Sequence, residues 1–416
     1  DSELSQLVCG SVHSMALTHG GELYVWGCNE SGQLGLGTDF TYVWKPQVLA
    51  IPRRKIRQIA AGYDHCLAIT ELSELWAWGK GTDGQLGFGH ARSTSEPQRV
   101  TALSEVMTCA AGEVHSAAIA RQGGRVQLWT WGNAESGKLG LGHQYMSGMN
   151  IEPAAVSFPT EASPSALGSE AAGPKKVPLA LCLGSSHTMV LLGTPDAEGA
   201  NELWTFGNGT YGKLGHGGWD NAYSPKQVYT RGMVPKAIAC GAFHSLSLSQ
   251  DDHVFVWGRS DMVCHDEDVD RPMKFGLLEG NPTVKHIVCG EMHSLVITKK
   301  GKVYGWGDNR SGQVGLGAGF PDVHVPDQVE FSEPVSLIAT GCNHTIVQLA
   351  NEETLAFGVQ TLGRLGLQIR RPERIVFDAR RVEAVWAGRG DLLLQLAKGP
   401  PKEAQAIADR EAPDAA

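Results

Sequence analysis

Seven histidines of this chain share one short pattern, Gly-x-x-His followed by Ser, Thr or Cys, which we call the tetrad. Imidazole is a common general base and metal ligand, so a repeated histidine is the first group to test for chemistry. The tetrad histidines are His13, His65, His115, His187, His244, His293 and His344. They recur without a fixed acid or nucleophile partner, at a period of about fifty residues that is typical of propellers and solenoids. We therefore interpret them as structural, with ring nitrogens that tie the carbonyls or amides of their own repeat.

One segment has side chains that superficially resemble metal ligands. Cys264 and His265 are followed by a run of carboxylates, and the candidate residues of this segment are Asp261, Asp266, Glu267, Asp268 and Asp270. No second Cys or His pair stands at zinc-ligand spacing, and the calcium-loop pattern with its central glycine is absent. We interpret the segment as an exposed acidic loop suited to a basic partner surface. No metal, cofactor or catalytic residue is expected; the Gly-x-Gly-x-x-Gly run at 79–84 has no helix after it that would make it a dinucleotide site.

The elements that position these residues are short strands. Residues 55–62, 65–70 and 74–79 each favour a strand, a Gly-rich turn follows, and 97–100 favours a fourth strand. An aromatic-Gly pair ends the third strand of each repeat. The aromatic residues are Trp26, Trp78, Trp131, Phe206, Trp257, Trp306 and Phe357. We predict that they are buried between neighbouring four-stranded antiparallel blades of an all-β propeller.

Composition limits the partners and the compartment. The chain has 416 residues, a net charge of −9 and nine cysteines. The acidic balance argues against direct binding to nucleic acid or to a membrane surface. Most cysteines lie at one repeat position as small buried hydrophobes, which favours the reducing cytoplasm, or the nucleus, over secretion. We expect a single domain over 1–398 with a surface insertion at about 157–176, and a flexible tail over 399–416.

Three coupled elements are similar to the regulator-of-chromosome-condensation family: the tetrad, the aromatic-Gly pair and a Gly-Gln-Leu-Gly-x-Gly turn. The turn occurs, with variations, at 32–37, 84–89, 137–142, 212–217 and 312–317, and the fifth repeat loses it. This resemblance implies a seven-bladed propeller closed by pairing N- and C-terminal strands in one blade. Candidate C-terminal strands lie at 372–377, 382–387 and 392–396.

The same resemblance implies several possible functions. One branch of the family exchanges nucleotide on a Ran-like small GTPase and uses an aspartate in a Gly-x-Asp-His tetrad, a form that occurs here once, with Asp64. Another branch is the plant ultraviolet-B photoreceptor, but no tetrad of this chain carries tryptophan. A third branch joins the propeller to a ubiquitin-ligase domain, which is absent from this sequence.

Our leading interpretation is a non-enzymatic scaffold that binds a protein partner through one loop face. The partner would be a larger assembly or a small GTPase. A guanine-nucleotide exchange factor is the alternative. Candidate contacts, besides the acidic loop and the insertion after Pro159, are Tyr63, Asp64, Glu113, Phe243 and Glu291.

Overall fold

The chain forms a ring of seven antiparallel sheets. The computed structural model describes residues 3–37, 40–51, 54–143, 148–159, 176–194, 201–317, 320–359 and 368–375. Within these ranges each sheet consists of four consecutive strands. The predicted seven-bladed, all-β propeller is therefore confirmed.

The strands of the seven blades have the following bounds. Blade 1 contains β1 (Leu4–Cys9), β2 (His13–Thr18), β3 (Leu23–Cys28) and β4 (Tyr42–Leu49). Blade 2 contains β5 (Ile56–Ala61), β6 (His65–Thr70), β7 (Leu75–Gly79) and β8 (Thr94–Arg99). Blade 3 contains β9 (Val106–Ala111), β10 (His115–Gln122), β11 (Arg125–Asn133) and β12 (Met149–Ala155). Blade 4 contains β13 (Val177–Leu183), β14 (His187–Gly193), β15 (Glu202–Gly207) and β16 (Ala222–Gln227).

The remaining three blades follow the same plan. Blade 5 contains β17 (Pro235–Cys240), β18 (His244–Ser249), β19 (Val254–Gly258) and β20 (Val269–Lys274). Blade 6 contains β21 (Val284–Cys289), β22 (His293–Thr298), β23 (Val303–Asp308) and β24 (Asp322–Val329). Blade 7 contains β25 (Val335–Thr340), β26 (His344–Leu349), β27 (Thr354–Val359) and β28 (Gln368–Ile375). The helical turns in the described residues are three-residue 3-10 turns, and none of the described residues forms a helix that could span a membrane.

The first strand of each blade lies next to the central axis. These strands contact one another in succession around the ring, and β25 of blade 7 contacts β1 of blade 1. The second strand is sandwiched between neighbouring blades, as in β6, which is buried at every position. The fourth strand is the outer edge, and most of β8 is exposed.

The expected mixed blade is wrong for the described residues. Blade 1 uses only N-terminal strands, and blade 7 uses only β25 to β28, so no strand is exchanged between them. The predicted strand at 372–377 overlaps β28, whereas 382–387, 392–396 and the tail 399–416 lie outside the described residues. The ring closes instead by packing. Blade 1 contributes Leu4, Leu7, Ala16, Tyr24 and Trp26 to a buried cluster that also holds Ala339 and Ile346 of blade 7.

The tetrad histidines are structural, but they tie neighbouring blades together rather than their own turns. Each Nε2 contacts the residue that directly follows the histidine of the next blade. The pairs are His13–Cys66 (3.0 Å), His65–Ser116 (2.8 Å), His115–Thr188 (3.1 Å), His187–Ser245 (2.9 Å), His244–Ser294 (2.7 Å), His293–Thr345 (3.1 Å) and His344–Ser14 (3.1 Å). These seven contacts form a closed circuit around the ring.

The partners of the hydroxyl groups define the histidine tautomer. Ser116 Oγ donates to the carbonyl oxygen of Gln85 at 2.8 Å, so His65 Nε2 must be the donor to Ser116. The other nitrogen, Nδ1 of His65, is buried without a hydrogen bond. A Cβ on Gly62 would lie 2.3 Å from Cε1 of the same ring, which explains the glycine that opens the tetrad. Burial lowers the pKa of His65 to about 3, so the ring is neutral.

The aromatic residues of the aromatic-Gly pairs are buried, as predicted. Trp78 and Trp131 have 0% exposure, and each donates its indole N–H to a carbonyl oxygen of the preceding blade, Gln33 or Gln85. A Cβ on Gly35 would lie 2.9 Å from the Trp78 ring, and Gly35 has φ +70°. The Gly-Gln-Leu-Gly turn of one blade is therefore the seat for the tryptophan of the next.

Candidate partner-binding face

The tetrad turns and the loops between the third and fourth strands, including the acidic loop, lie at one end of the ring. His13 pairs with Gly27, and Gly27 with Val43, so the tetrad turn and the loop between the third and fourth strands emerge at the same end of blade 1. The other blades repeat this register. We call this end the tetrad face. The opposite face carries the hairpins between second and third strands and the connections between blades.

Three of the predicted contacts meet at the axis of the tetrad face. Tyr63, Glu113 and Glu291 line the mouth of an axial cavity of about 140 Å³, together with Cys342. Burial, the neighbouring Cys342 thiol and a hydrogen bond to Glu291 raise the pKa of Tyr63 far above its usual range. Burial also raises the pKa of Glu113, against the opposing field of Lys138. The mouth is therefore polar and partly desolvated.

Asp64 stands apart from this mouth. Its Oδ1 accepts a hydrogen bond from Ser11 Oγ at 3.1 Å, and the same hydroxyl contacts the Tyr63 carbonyl oxygen at 2.6 Å. Asp64 therefore links the tetrad turns of blades 1 and 2. The aspartate that the resemblance singled out has a structural role as well as its place on the face.

Phe243 belongs to an aromatic and cationic cluster. Its ring meets the edge of Tyr211 with centroids 5.7 Å apart and an interplanar angle of 88°. Arg259 lies over both rings, 5.2 Å from the Phe243 centroid and 5.8 Å from that of Tyr211. Arg259 also pairs with Asp261 of the acidic loop. Phe243 and Asp261 were predicted from the sequence, whereas Tyr211 and Arg259, which are 48 residues apart along the chain, were not.

The acidic loop keeps the seat geometry although its sequence has lost the motif. Met262 offers its carbonyl oxygen to the Trp306 indole at 2.9 Å, as Gln33 does for Trp78. The following Val263 is fully buried, and Cys264 adopts φ +54° where other blades have glycine. The backbone, not the side chains, accepts the indole N–H of Trp306. The sequence motif can therefore change while this contact is kept.

The carboxylates of the acidic loop differ in their surroundings. Asp266 and Glu267 are exposed. Asp268 accepts a hydrogen bond from the Ser260 backbone N–H at 2.9 Å. Asp270 lies on β20, the outer strand of blade 5. Among the described residues no three His, Cys, Asp or Glu side chains are arranged to hold a metal ion. The loop therefore presents two free carboxylates at its tip rather than a ligand cage.

Three exposed aromatic residues of the tetrad face were not predicted from the sequence. Phe40, Trp219 and Phe320 have exposures of 68%, 56% and 52%. Each precedes the fourth strand of its blade, in blades 1, 4 and 6, and therefore lies on the tetrad face. They could have been predicted from their position, because each follows a Gly-rich turn where the fold has no need of an aromatic residue.

The predicted insertion at about 157–176 lies mostly outside the described residues. Its flanking strands can be placed, because Ala155 at the end of β12 pairs with Trp129, away from the tetrad turns. Residues 160–175 lie outside the described residues, so the contact predicted for the segment after Pro159 stays a prediction.

Comparison with known proteins matches the repeat directly. Two models described as the regulator of chromosome condensation (RCC1) repeat match this chain. The first covers 20–69, 73–119, 201–248 and 300–348. The second covers 5–33, 56–85, 236–262 and 284–313. The chain belongs to the RCC1 repeat family.

The curated proteins that are similar to this chain have diverse names. The ultraviolet-B receptor UVR8 of Arabidopsis thaliana is 28% identical over 371 residues, which is 88% of this chain and 67% of the receptor. The human E3 ubiquitin-protein ligase HERC2 is 32% identical over 288 residues, which is 67% of this chain. This chain spans only 6% of the length of HERC2.

Two solved structures have the same fold as this chain. Human WBSCR16 matches with a TM-score of 0.69 and 23% identity, over 84% of this chain and 88% of that one. Prp20p of Saccharomyces cerevisiae, a structure whose description concerns binding to Gsp1p and histones, matches with a TM-score of 0.65 and 23% identity. It covers 81% of this chain and 80% of Prp20p.

Proposed function

We propose that this protein is an interaction module that binds a protein partner through the tetrad face. The observation that carries the proposal is the set of exposed aromatic side chains at equivalent loop positions, Phe40, Trp219 and Phe320. Large aromatic residues supply most of the energy of protein interfaces when they are buried by a partner. They lie on the same face as the polar mouth at Tyr63, so the face combines apolar anchors with groups that set orientation.

The division of labour within the repeat supports the same conclusion. Six of the seven tetrad histidines and the aromatic residues of the aromatic-Gly pairs are buried, His344 is half-buried, and all are committed to contacts between blades. On the tetrad face, the groups that are free to bind a partner are the loop tips and the mouth of the axial cavity. The nine cysteines are all free thiols, and we accordingly propose a reducing compartment, the cytoplasm or the nucleus.

A matched pair of triple variants tests the proposal. Phe40→Ala/Trp219→Ala/Phe320→Ala removes the anchors of the tetrad face, and Leu72→Ala/Tyr229→Ala/Leu277→Ala removes exposed side chains of the opposite face. Both proteins would be immobilised beside the unmodified chain and used to capture partners from a cell extract. We expect the tetrad-face variant alone to lose the captured partner; equal capture by the two variants would refute the proposal.

Nucleotide exchange on a small GTPase is the second candidate. It is favoured by the position of Asp64 on the tetrad face, in the Gly-x-Asp-His form that the family resemblance connects with exchange. Release of labelled GDP from a panel of small GTPases, with the unmodified chain and with Asp64→Asn, tests it. Exchange that depends on Asp64 would establish this candidate, and an unaltered GDP release rate across the panel would remove it.

A further inference from the structure

Lys213 is an enclosed cation without a counter-charge. The residue is only 2% exposed. Among the described residues its ammonium has no hydrogen bond and no carboxylate within 4.0 Å, and Nζ lies over the Phe243 ring, 5.8 Å from the centroid. Lysine is almost never enclosed in this way unless it is paired.

The fold does not need a lysine at this position. In blades 1, 2 and 6 the equivalent residues are Gln33, Gln85 and Gln313, whose amide oxygens accept the backbone N–H two residues earlier. A lysine cannot accept this bond. In blade 4 the preceding turn takes a different form, in which Tyr211 has φ +64°. This conformation is unfavourable for a bulky side chain such as Tyr211, and blade 3 has the same turn form before its equivalent lysine, Lys138, where Ser136 has φ +59°.

The surroundings of Lys213 are cationic and aromatic. Arg259 lies over the same Phe243 ring, and the Phe243 and Tyr211 rings meet edge to face. Lys138 of blade 3, itself 5% exposed, adds a second cation that disfavours the charged form of Lys213. Asp83, Glu113 and Glu135 compensate Lys138, whose Nζ also donates to Asn133 Oδ1 at 2.7 Å. None of these acids compensates Lys213.

The ammonium remains reachable from the tetrad face. Lys213 Nζ has no hydrogen-bond partner among the described residues, but it is not fully buried. The tip of the side chain therefore touches solvent. The stem is enclosed and the rings beside it are half-buried. A small anionic group could approach without displacing the core.

We propose that Lys213, together with Arg259 and the rings of Tyr211 and Phe243, binds a carboxylate side chain of an acidic segment of the protein partner. This inference rests on the proposed function, since it assigns a partner chemistry to one part of the tetrad face. The charge complementarity is direct: a carboxylate supplies the missing counter-ion to Lys213 and can share the guanidinium of Arg259. The positive edges of aromatic rings also favour an anion beside them.

Binding of a short labelled peptide tests this inference without any knowledge of the partner. The probe is a fluorescent peptide with three glutamates, with a glutamine version as its control, followed by anisotropy on the full chain. We expect the glutamate peptide to bind, and Lys213→Gln to weaken it at least tenfold. Lys213→Arg should bind nearly as well as the unmodified chain. The matched control Lys285→Gln removes an exposed lysine near the opposite face and should leave binding unchanged.

The pH dependence and a competitor complete the test. Affinity should fall as the pH rises through about 8, because burial lowers the pKa of Lys213 to about 8 and the neutral amine no longer attracts a carboxylate. Equal affinity of the unmodified chain and of Lys213→Gln, with both proteins folded by circular dichroism, would overturn the proposal. Inorganic phosphate that binds more tightly than the glutamate peptide would overturn it in favour of a phosphate site.

The two proposals fail in different ways. Partner capture that needs Phe40, Trp219 and Phe320 but survives Lys213→Gln would remove only the carboxylate site. Capture that is indifferent to the tetrad face would remove the proposed function, while the peptide titration would still report on Lys213 alone.

Discussion

Nε2 of His344 in the seventh blade lies 3.1 Å from Oγ of Ser14 in the first blade. This hydrogen bond joins residues 330 positions apart and completes the circuit of histidines. It does so where no strand is shared between the chain ends among the described residues. The propeller is therefore closed by side-chain contacts of the same kind as those between its other blades.

Removal of the closing hydroxyl should weaken the ring. Ser14→Ala removes the hydroxyl partner of the half-buried His344, and we expect a loss of about 0.5–1.5 kcal/mol in the free energy of unfolding. The measurement is urea denaturation followed by tryptophan fluorescence. Ser104→Ala, which changes an exposed serine, is the control and should be neutral. A neutral Ser14→Ala would mean that the closing contact contributes nothing.

Stability should fall steeply in mild acid. Burial lowers the pKa of His13, His65, His244 and His293 to about 3 and that of His344 to about 4. The pKa values of His115 and His187 are lowered in the same direction by burial.

The sign follows from proton counting. Between pH 6.5 and about 3 the unfolded chain binds protons at these histidines and the folded chain does not, so acid favours unfolding. Each histidine contributes a slope of up to about 1.4 kcal/mol per pH unit near pH 5. Denaturation midpoints at pH 7, 6 and 5 measure it. A midpoint that stays constant over this range would show that the histidines are protonated in the folded protein.

Three glycine variants separate the packing of the tryptophan seat from backbone strain. Gly87 has φ +76° and a Cβ there would lie 2.9 Å from Trp131 Nε1; Gly123 has φ +55° and open space; Gly218 has neither constraint. We expect Gly87→Ala to be the most destabilising, Gly123→Ala to cost about 1–2 kcal/mol and Gly218→Ala to be nearly neutral. Thermal denaturation ranks them. Equal losses of stability in Gly87→Ala and Gly123→Ala would refute the conclusion that Gly87 provides the space in which Trp131 packs.

Restoring glutamine in blade 4 should stabilise the fold. In Lys213→Gln the amide oxygen can accept the Tyr211 N–H, as Gln85 accepts that of Asp83, and a buried charge is removed. We expect a gain of about 1–2 kcal/mol at pH 7. The gain should shrink between pH 8 and 10.5, because the pKa of Lys213 is lowered by burial to about 8 and the unmodified protein becomes more stable as the pH rises. A destabilised Lys213→Gln at pH 7 would contradict this account.

Much of the fold was predictable because its determinants are local and repeated. The predicted strands of blade 2 agree with β5 to β7 within one or two residues. His65 begins the second strand and Trp78 lies near the end of the third, and equivalent residues recur in every repeat. Ring closure was not predictable, because counting hairpins does not reveal which strands pair. The histidine partners were also missed, since Ser116 lies 51 residues from His65 and only the stacking of blades brings them together.

The candidate site was predictable only in part. Tyr63, Glu113 and Glu291 occupy equivalent tetrad positions and therefore converge at the axis. Tyr211 and Arg259 come from turns of different blades, and their contact with Phe243 depends on packing that no local pattern encodes. The exposure of Phe40, Trp219 and Phe320 likewise depends on the neighbours of each loop.

Hydrogen exchange of the protein, free and bound to its captured partner, tests the role of the tetrad face most directly. We predict slower exchange in the loops that carry Phe40, Trp219 and Phe320 when the partner is bound, and unchanged exchange around Leu72, Tyr229 and Leu277 on the opposite face. Protection confined to the opposite face would contradict the account.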